Sequence, residues 1–143
     1  MVDEQLLSEI MDYADLTLPF DKPIIIHYKG DIDYGQFQSY LKFISFLNQN
    51  GKCICGRPMR EDEKLDLHHA IITRADVLGS KHKNKIHNLY NVLTIHSGNC
   101  HTNAKRKDCM KMLWQIYGYD KVFKWYSSQK FQIVKERRMT NAE

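Results

Sequence analysis

The stretch Leu65-Asp66-Leu67-His68-His69-Ala70, followed by Asn91-Val92-Leu93-Thr94-Ile95-His96 and then Cys100-His101, decides how this chain is read. Two short runs of alternating and β-branched residues, at 66–71 and 91–96, predict strands. The polar segment between them, Thr73 to Leu89, holds Arg74, Lys81, His82, Lys83, Lys85 and His87 against the single acid Asp76. It predicts a long loop. After Cys100 the pattern turns helical as far as Tyr117, where Gly118 supplies a C-terminal stop. Strand, loop, strand and helix form a hairpin-plus-helix unit that would bring residue 101 back beside residue 68.

Working outward from that unit, Asp33 caps a helix over 34–49 with Phe37, Tyr40, Leu41, Ile44 and Leu47 at helical spacing, and Asn50-Gly51 ends it. Residues 3–14 predict a short amphipathic helix, and Ile24-Ile25-Ile26-His27-Tyr28 a strand. Asp120 caps a last helix carrying Val122, Phe123, Trp125 and Tyr126, and residues 130–143 begin β-like and end as a charged tail. Trp114, Tyr117, Phe123 and Trp125 fall at spacings that suit a core. The expected division is a helix-and-strand scaffold at 1–51, a core unit at 52–117 and a C-terminal helix with basic tail at 118–143, all within one compact α+β domain.

Bulk properties narrow the class. The 143 residues are 43% hydrophobic and 27% charged, ordinary for a soluble globular chain, and no apolar run approaches the roughly 20 residues of a membrane span. The acidic start, Met1-Val2-Asp3-Glu4, lacks the basic region of a secretory signal, so a cytoplasmic protein is expected. The net charge of +4 hides an asymmetry: residues 1–22 carry six acids against Lys22, a balance of −5, leaving +9 on the remainder. A basic body attracts polyanions. The acidic segment could contact a protein partner or shield the basic face.

Four cysteines, Cys53, Cys55, Cys100 and Cys109, suit metal ligation better than disulfides in a reducing compartment. Cys53 and Cys55-Gly56 can form a tight turn, and His96 and Cys100 lie at the end of a strand and the start of a helix. Those four make a zinc ligand set, with Cys109 as substitute. The histidines form a second set. His68 and His69 point to opposite faces of a strand, so one can hold a metal while the other acts on water, and His101 is the best second ligand.

On these residues the segment from Cys53 to Lys107 resembles the zinc-containing branch of the HNH endonucleases, small ββα-metal nucleases of the type common in phages. The resemblance implies His69 as general base and His68 and His101 as ligands of a catalytic divalent ion (Mg²⁺, Mn²⁺ or Ni²⁺). It implies Asn91 as the residue that holds the loop and so orients His69, and Cys53, Cys55, His96 and Cys100 as ligands of a structural Zn²⁺. The implied reaction is hydrolysis of DNA phosphodiester bonds, nicking or cutting a duplex and leaving 5′-phosphate and 3′-hydroxyl ends. An imidazole base suits that task when its pKa stays near neutrality. Arg74, Lys81, Lys83, Lys85, Lys105, Arg106 and Lys107 would hold phosphates. A monomer or weak dimer is expected.

The chain departs from the family pattern at three places. Its first cysteine pair is one residue short, and His96-x-x-x-Cys100 is one residue long, which would swing His101 about 100° if the extra residue were helical. Lys105 stands where some relatives carry a further histidine ligand, with Asn103 as the nearest replacement. The competing reading is a zinc-stabilised nucleic-acid-binding module in which His69 and His101 carry no chemistry.

Overall fold

A computed structural model describes residues 23–26, 28, 33–60 and 62–141, and side chains as far as Lys135. The expected helix at 3–14 and the acidic segment 1–22 lie outside it. In order, the elements are α1 (Tyr34–Asn48), β1 (Leu65–His69), a 3-10 turn (Leu89–Asn91), β2 (Val92–His96), α2 (Asn99–Asn103), α3 (Arg106–Tyr117) and α4 (Tyr119–Asn141). The fold is α+β. Its sheet, β1 and β2, is an antiparallel pair in the register Leu65↔His96, Leu67↔Thr94 and His69↔Val92.

Helix α1 forms as its sequence dictates. The Asp33 carboxylate accepts the Gln36 N–H at 2.8 Å, and the helix ends in Asn50 and Gly51 at φ of 53° and 69°. Its apolar stripe, Phe37, Leu41 and Ile44, packs into a core with Leu89, Val92, Leu93, Ile95, Leu113 and Val122. Burial of this shared face holds α1 across the hairpin.

Side-chain amides do the work of missing strands. Gln49 donates to the Thr94 carbonyl and accepts the Thr94 N–H, both at 2.7 Å, so it completes the free edge of β2. Asn48 does the same for Ile24, accepting its N–H at 2.8 Å and donating to its carbonyl at 2.9 Å. That explains a correction: residues 24–26 and 28 are not a strand, because an amide on α1 takes the backbone groups a neighbouring strand would have used. The third amide, Asn91, ends both strands, as described below.

Four further corrections concern the C-terminal half. The expected continuous helix from Cys100 to Tyr117 is two helices, broken by Ala104 and Lys105 in extended conformation with ψ of 121° and 134°. The break lets α2 hold Cys100 near His96 while α3 turns Cys109, Leu113 and Tyr117, at i, i+4 and i+8, into the core. Asp120 lies in the first turn of α4, not at its cap, and the expected β-like segment after residue 130 is helical. Isolated β propensity with no strand to pair with yields to helix continuation. Phe123 is exposed rather than core, stacked on Tyr119. Among the described residues no helix is long and apolar enough to cross a membrane.

Candidate functional site

Two polar constellations hang from the hairpin, one at the His96 end of β2 and one along β1. The first is built on a knuckle. Lys52 and Pro58 form an isolated bridge, Cys53 donates its N–H to the Arg57 carbonyl at 3.0 Å, and Gly56 turns the chain at φ 85°. Across from it β2 ends at His96 and α2 presents Cys100. The four ligating atoms of Cys53, Cys55, His96 and Cys100 all lie within 4.8 Å of one another. His96 Nδ1 is 3.7 Å from Cys55 Sγ and 3.8 Å from Cys100 Sγ. Tetrahedral zinc with bonds of ~2.0–2.3 Å requires donor separations of roughly 3.5 Å, so this set could hold a zinc ion. The short Cys-x-Cys spacing is no obstacle to it.

The surroundings suit a cation. Glu63 lies 3.4 Å from His96 Nε2, where a carboxylate orients an imidazole whose other nitrogen ligates. Burial alone would raise the Cys55 thiol, but hydrogen bonds from the Arg57 backbone and guanidinium, then His96 and Cys53, bring it down to about 6. Cys100 is pushed the other way, to about 11, by burial and then by its cysteine neighbours. One thiolate is welcome and a second is resisted, and a divalent cation is the partner that removes that resistance. Cys109 does not belong to this set. It is fully buried in the core and its thiol is pushed up to about 11 by burial first, so it packs rather than substitutes.

The second constellation lies where β1 passes under α1. Asp66 and His68, two apart, share one face, and His69 points to the other. The turn Ser97-Gly98, with Gly98 at φ 82°, takes up the additional residue before α2. His101 therefore returns beside β1, its ring centroid 5.1 Å from that of His68. Asp66 Oδ2 lies 2.8 Å from His101 Nδ1, which leaves His101 Nε2 for another partner. His68 is held below its ordinary pKa by burial and then by His101, so its lone pair is open. Two imidazoles so placed could contribute two ligands to a divalent ion.

His69 is 8% exposed, and its Nε2 lies 2.9 Å from His87 Nδ1. Burial first, then His87, Arg74, His68 and His101, drive its pKa to about 3, well below the neutral value expected of an imidazole base. It is thus neutral in the resting protein near pH 7. Asn91, with no exposed surface, fixes the chain on both sides of this pair. Its Oδ1 accepts the N–H groups of Ile71 and Ile72 at 3.0 and 2.9 Å, and its Nδ2 donates to the carbonyls of Ile72 and Ile86 at 2.9 Å each. All four amide positions are used. Those bonds end β1 at His69, short of residue 71, and place Asn91 itself in the 3-10 turn ahead of β2.

Both histidine faces border an open cleft of about 770 Å³ whose opposite wall is α1, through Gly35, Gln38, Ser39 and Lys42. Arg74 lines it too and donates to Gln38 Oε1 at 3.1 Å. A smaller hollow shares Gln38 and Arg74 and continues to Lys83. The other basic residues do not converge here. Lys85 is bound to Gln132 of α4 at 2.5 Å, and Arg106 lies 3.8 Å from Asp76. Lys105 borders a hollow over Cys55 and Cys100, as does Asn103, while Lys81 and Lys107 are exposed. Sequence reasoning gave no role to Asp66, Glu63, Arg57, His87 or the α1 wall. Asp66 had a signal, since i, i+2 spacing puts it on the face of His68. The other partners are set by tertiary packing. The chain matches no family model, no curated protein and no solved structure.

Proposed function

We propose that this protein is a metal-dependent endonuclease of the HNH, ββα-metal kind, hydrolysing DNA phosphodiester bonds. The observation that carries the reading is the juxtaposition of His68 and His101, 5.1 Å between rings, with buried His69 next along β1 in a cleft bearing Arg74. A hairpin followed by a helix, with a Cys₃His set at its far end, is the arrangement the sequence resemblance implies.

His68 and His101 would hold the catalytic ion, Mg²⁺, Mn²⁺ or Ni²⁺, and Asp66 would fix the His101 ring. When bound, such an ion polarises the phosphate and stabilises charge on the leaving 3′ oxygen. His69 takes a proton from water as the water oxygen bonds to phosphorus and the P–O3′ bond breaks; the departing O3′ takes a proton from solvent water, leaving 5′-phosphate and 3′-hydroxyl ends. Its low resting proton affinity comes from burial first and partly from Arg74, and an arriving phosphodiester, being anionic, offsets the Arg74 charge and raises it. Arg74 and Lys83, with Gln38 and Lys42 on the α1 wall, would position the backbone without reading sequence. Cys53, Cys55, His96 and Cys100 would hold a structural zinc that ties the knuckle to α2.

The test is conversion of supercoiled plasmid by wild type and His69→Ala, alongside DNA binding by both. Relaxed or linear product from wild type only, with binding retained in both, is expected. Equal binding and no conversion by either would replace this reading with a zinc-stabilised binding module.

A further inference from the structure

The hydrogen bond between His69 Nε2 and His87 Nδ1, 2.9 Å, joins two imidazoles that are 8% and 9% exposed, with ring centroids 5.0 Å apart. Little water competes for it. The backbone that presents His87 is fixed on its N-terminal side, where the Ile86 carbonyl accepts both Asn91 Nδ2 at 2.9 Å and the Asn88 N–H at 3.0 Å. The Tyr34 ring covers His87 at 5.8 Å between centroids. This is a built contact between a residue of β1 and a loop residue eighteen positions away.

A neutral imidazole has one N–H and one lone pair, so the shared bond admits two arrangements. In one, His69 carries its proton on Nε2 and donates to His87 Nδ1. Both rings are then in the Nε2–H form that an unperturbed histidine side chain prefers. In the other, His87 Nδ1–H donates, both rings take the less favoured Nδ1–H form, and His69 Nδ1 is blocked by its own proton. Only the first leaves His69 a basic nitrogen.

We propose that His87 is a positioning residue that holds His69 as the Nε2–H tautomer, aiming its Nδ1 lone pair at the attacking water. This inference rests on the nuclease reading above. When the water O–H bond breaks, the proton lands on His69 Nδ1, while the Nε2–H···Nδ1 bond to His87 becomes charge-assisted and strengthens. His87 thus serves the role that a carboxylate or carbonyl serves behind other catalytic histidines. The imidazolium returns its proton to solvent water, and His87 ends each cycle unchanged.

The test has two arms. Long-range ¹H–¹⁵N correlation spectra of the zinc-loaded protein at pH 7 report the tautomer of His69 directly. A protonated Nε2 with an unprotonated Nδ1 is expected, and the Nδ1–H form would overturn the proposal. Single-turnover cleavage is then compared for His87→Ala and His87→Asn, because the asparagine Oδ1 takes the place of the histidine Nδ1 as acceptor. His87→Ala is expected to lose roughly tenfold to a hundredfold in rate with little change in the DNA concentration needed for half-saturation, and His87→Asn to recover most of it. A His87→Ala protein as fast as wild type, or an asparagine variant with the expected His69 tautomer but alanine-like rate, would overturn the role. The spectroscopic arm needs no cleavage. A wrong tautomer therefore defeats this inference alone, whereas the expected tautomer in a wild-type protein that cuts no DNA defeats the nuclease reading.

Discussion

The hairpin carries two candidate metal sites of opposite kinds. At the His96 end of β2, four donors converge within 4.8 Å and would satisfy a tetrahedral ion completely. Beside β1, the imidazoles of His68 and His101, their rings 5.1 Å apart, face a 770 Å³ cleft and would leave most of an ion's coordination unfilled. A saturated site can only hold the chain together, whereas an unsaturated one takes its remaining ligands from solution. Closure against openness, together with donor type, is what separates the two.

The sharpest way to break that comparison is to empty the closed site. Cys53→Ser should abolish stoichiometric zinc binding and unfold the knuckle, because structural zinc in small domains is worth on the order of 10 kcal/mol. Metal analysis and circular dichroism check this, and a zinc-free Cys53→Ser chain with native spectrum and melting would remove the structural role. His69→Ala should instead leave zinc content and melting near wild type while slowing cleavage about 10²–10⁴-fold. If both variants failed alike in folding, the division between the two sites would collapse.

Asn91→Ala tests what joins them. It removes one hydrogen bond from each of four buried backbone groups, of which the Ile86 carbonyl keeps a second, so a loss of about 2–4 kcal/mol is expected in urea unfolding. A loss under about 0.5 kcal/mol would mean the loop is held otherwise. Arg74→Ala is the mildest change at the open site. It should weaken DNA binding several-fold and reduce the slope of log affinity against log salt by about 1, with zinc content untouched.

Proton linkage sharpens the comparison from the side of stability. His69 has a folded pKa of about 3 against roughly 6.5 unfolded, and His87 is also lowered, burial being the first cause in both. The folded state thus binds fewer protons than the unfolded one below about pH 6.5, so stability is full above that pH and falls on acidification toward 3. Urea midpoints for wild type and His69→Phe between pH 7.5 and 5 should show the shallower decline in the variant. Parallel declines would place the acid sensitivity in groups other than His69.

Much of this was readable from residue order because it is local. The Asp33 cap, the stripe of α1, the hairpin and the Cys₃His set follow from spacing alone. What escaped depends on distant partners. Residues 24–26 have the composition of a strand, yet Asn48 intercepts Ile24. The residues at 104–105 have no breaker among them, yet the helix parts there because Cys100 and Cys109 serve different centres. The pairing of His69 with His87 crosses a loop whose path only the packed fold determines. The expected neutral-range pKa of His69 failed for the same reason, since burial and Arg74 are properties of the assembled cleft.

The most direct measurement of the central claim is metal restoration with the closed site kept full. Protein freed of loosely held ions but retaining one zinc per chain would be given an end-labelled DNA duplex, alone and then with Mg²⁺, Mn²⁺ or Ni²⁺ added singly. No cleavage is expected until the second ion is added, then products with 5′-phosphate and 3′-hydroxyl ends, and none from His68→Ala with His101→Ala. Cleavage by the one-zinc protein without added ion, or undiminished cleavage by that double variant, would contradict that claim.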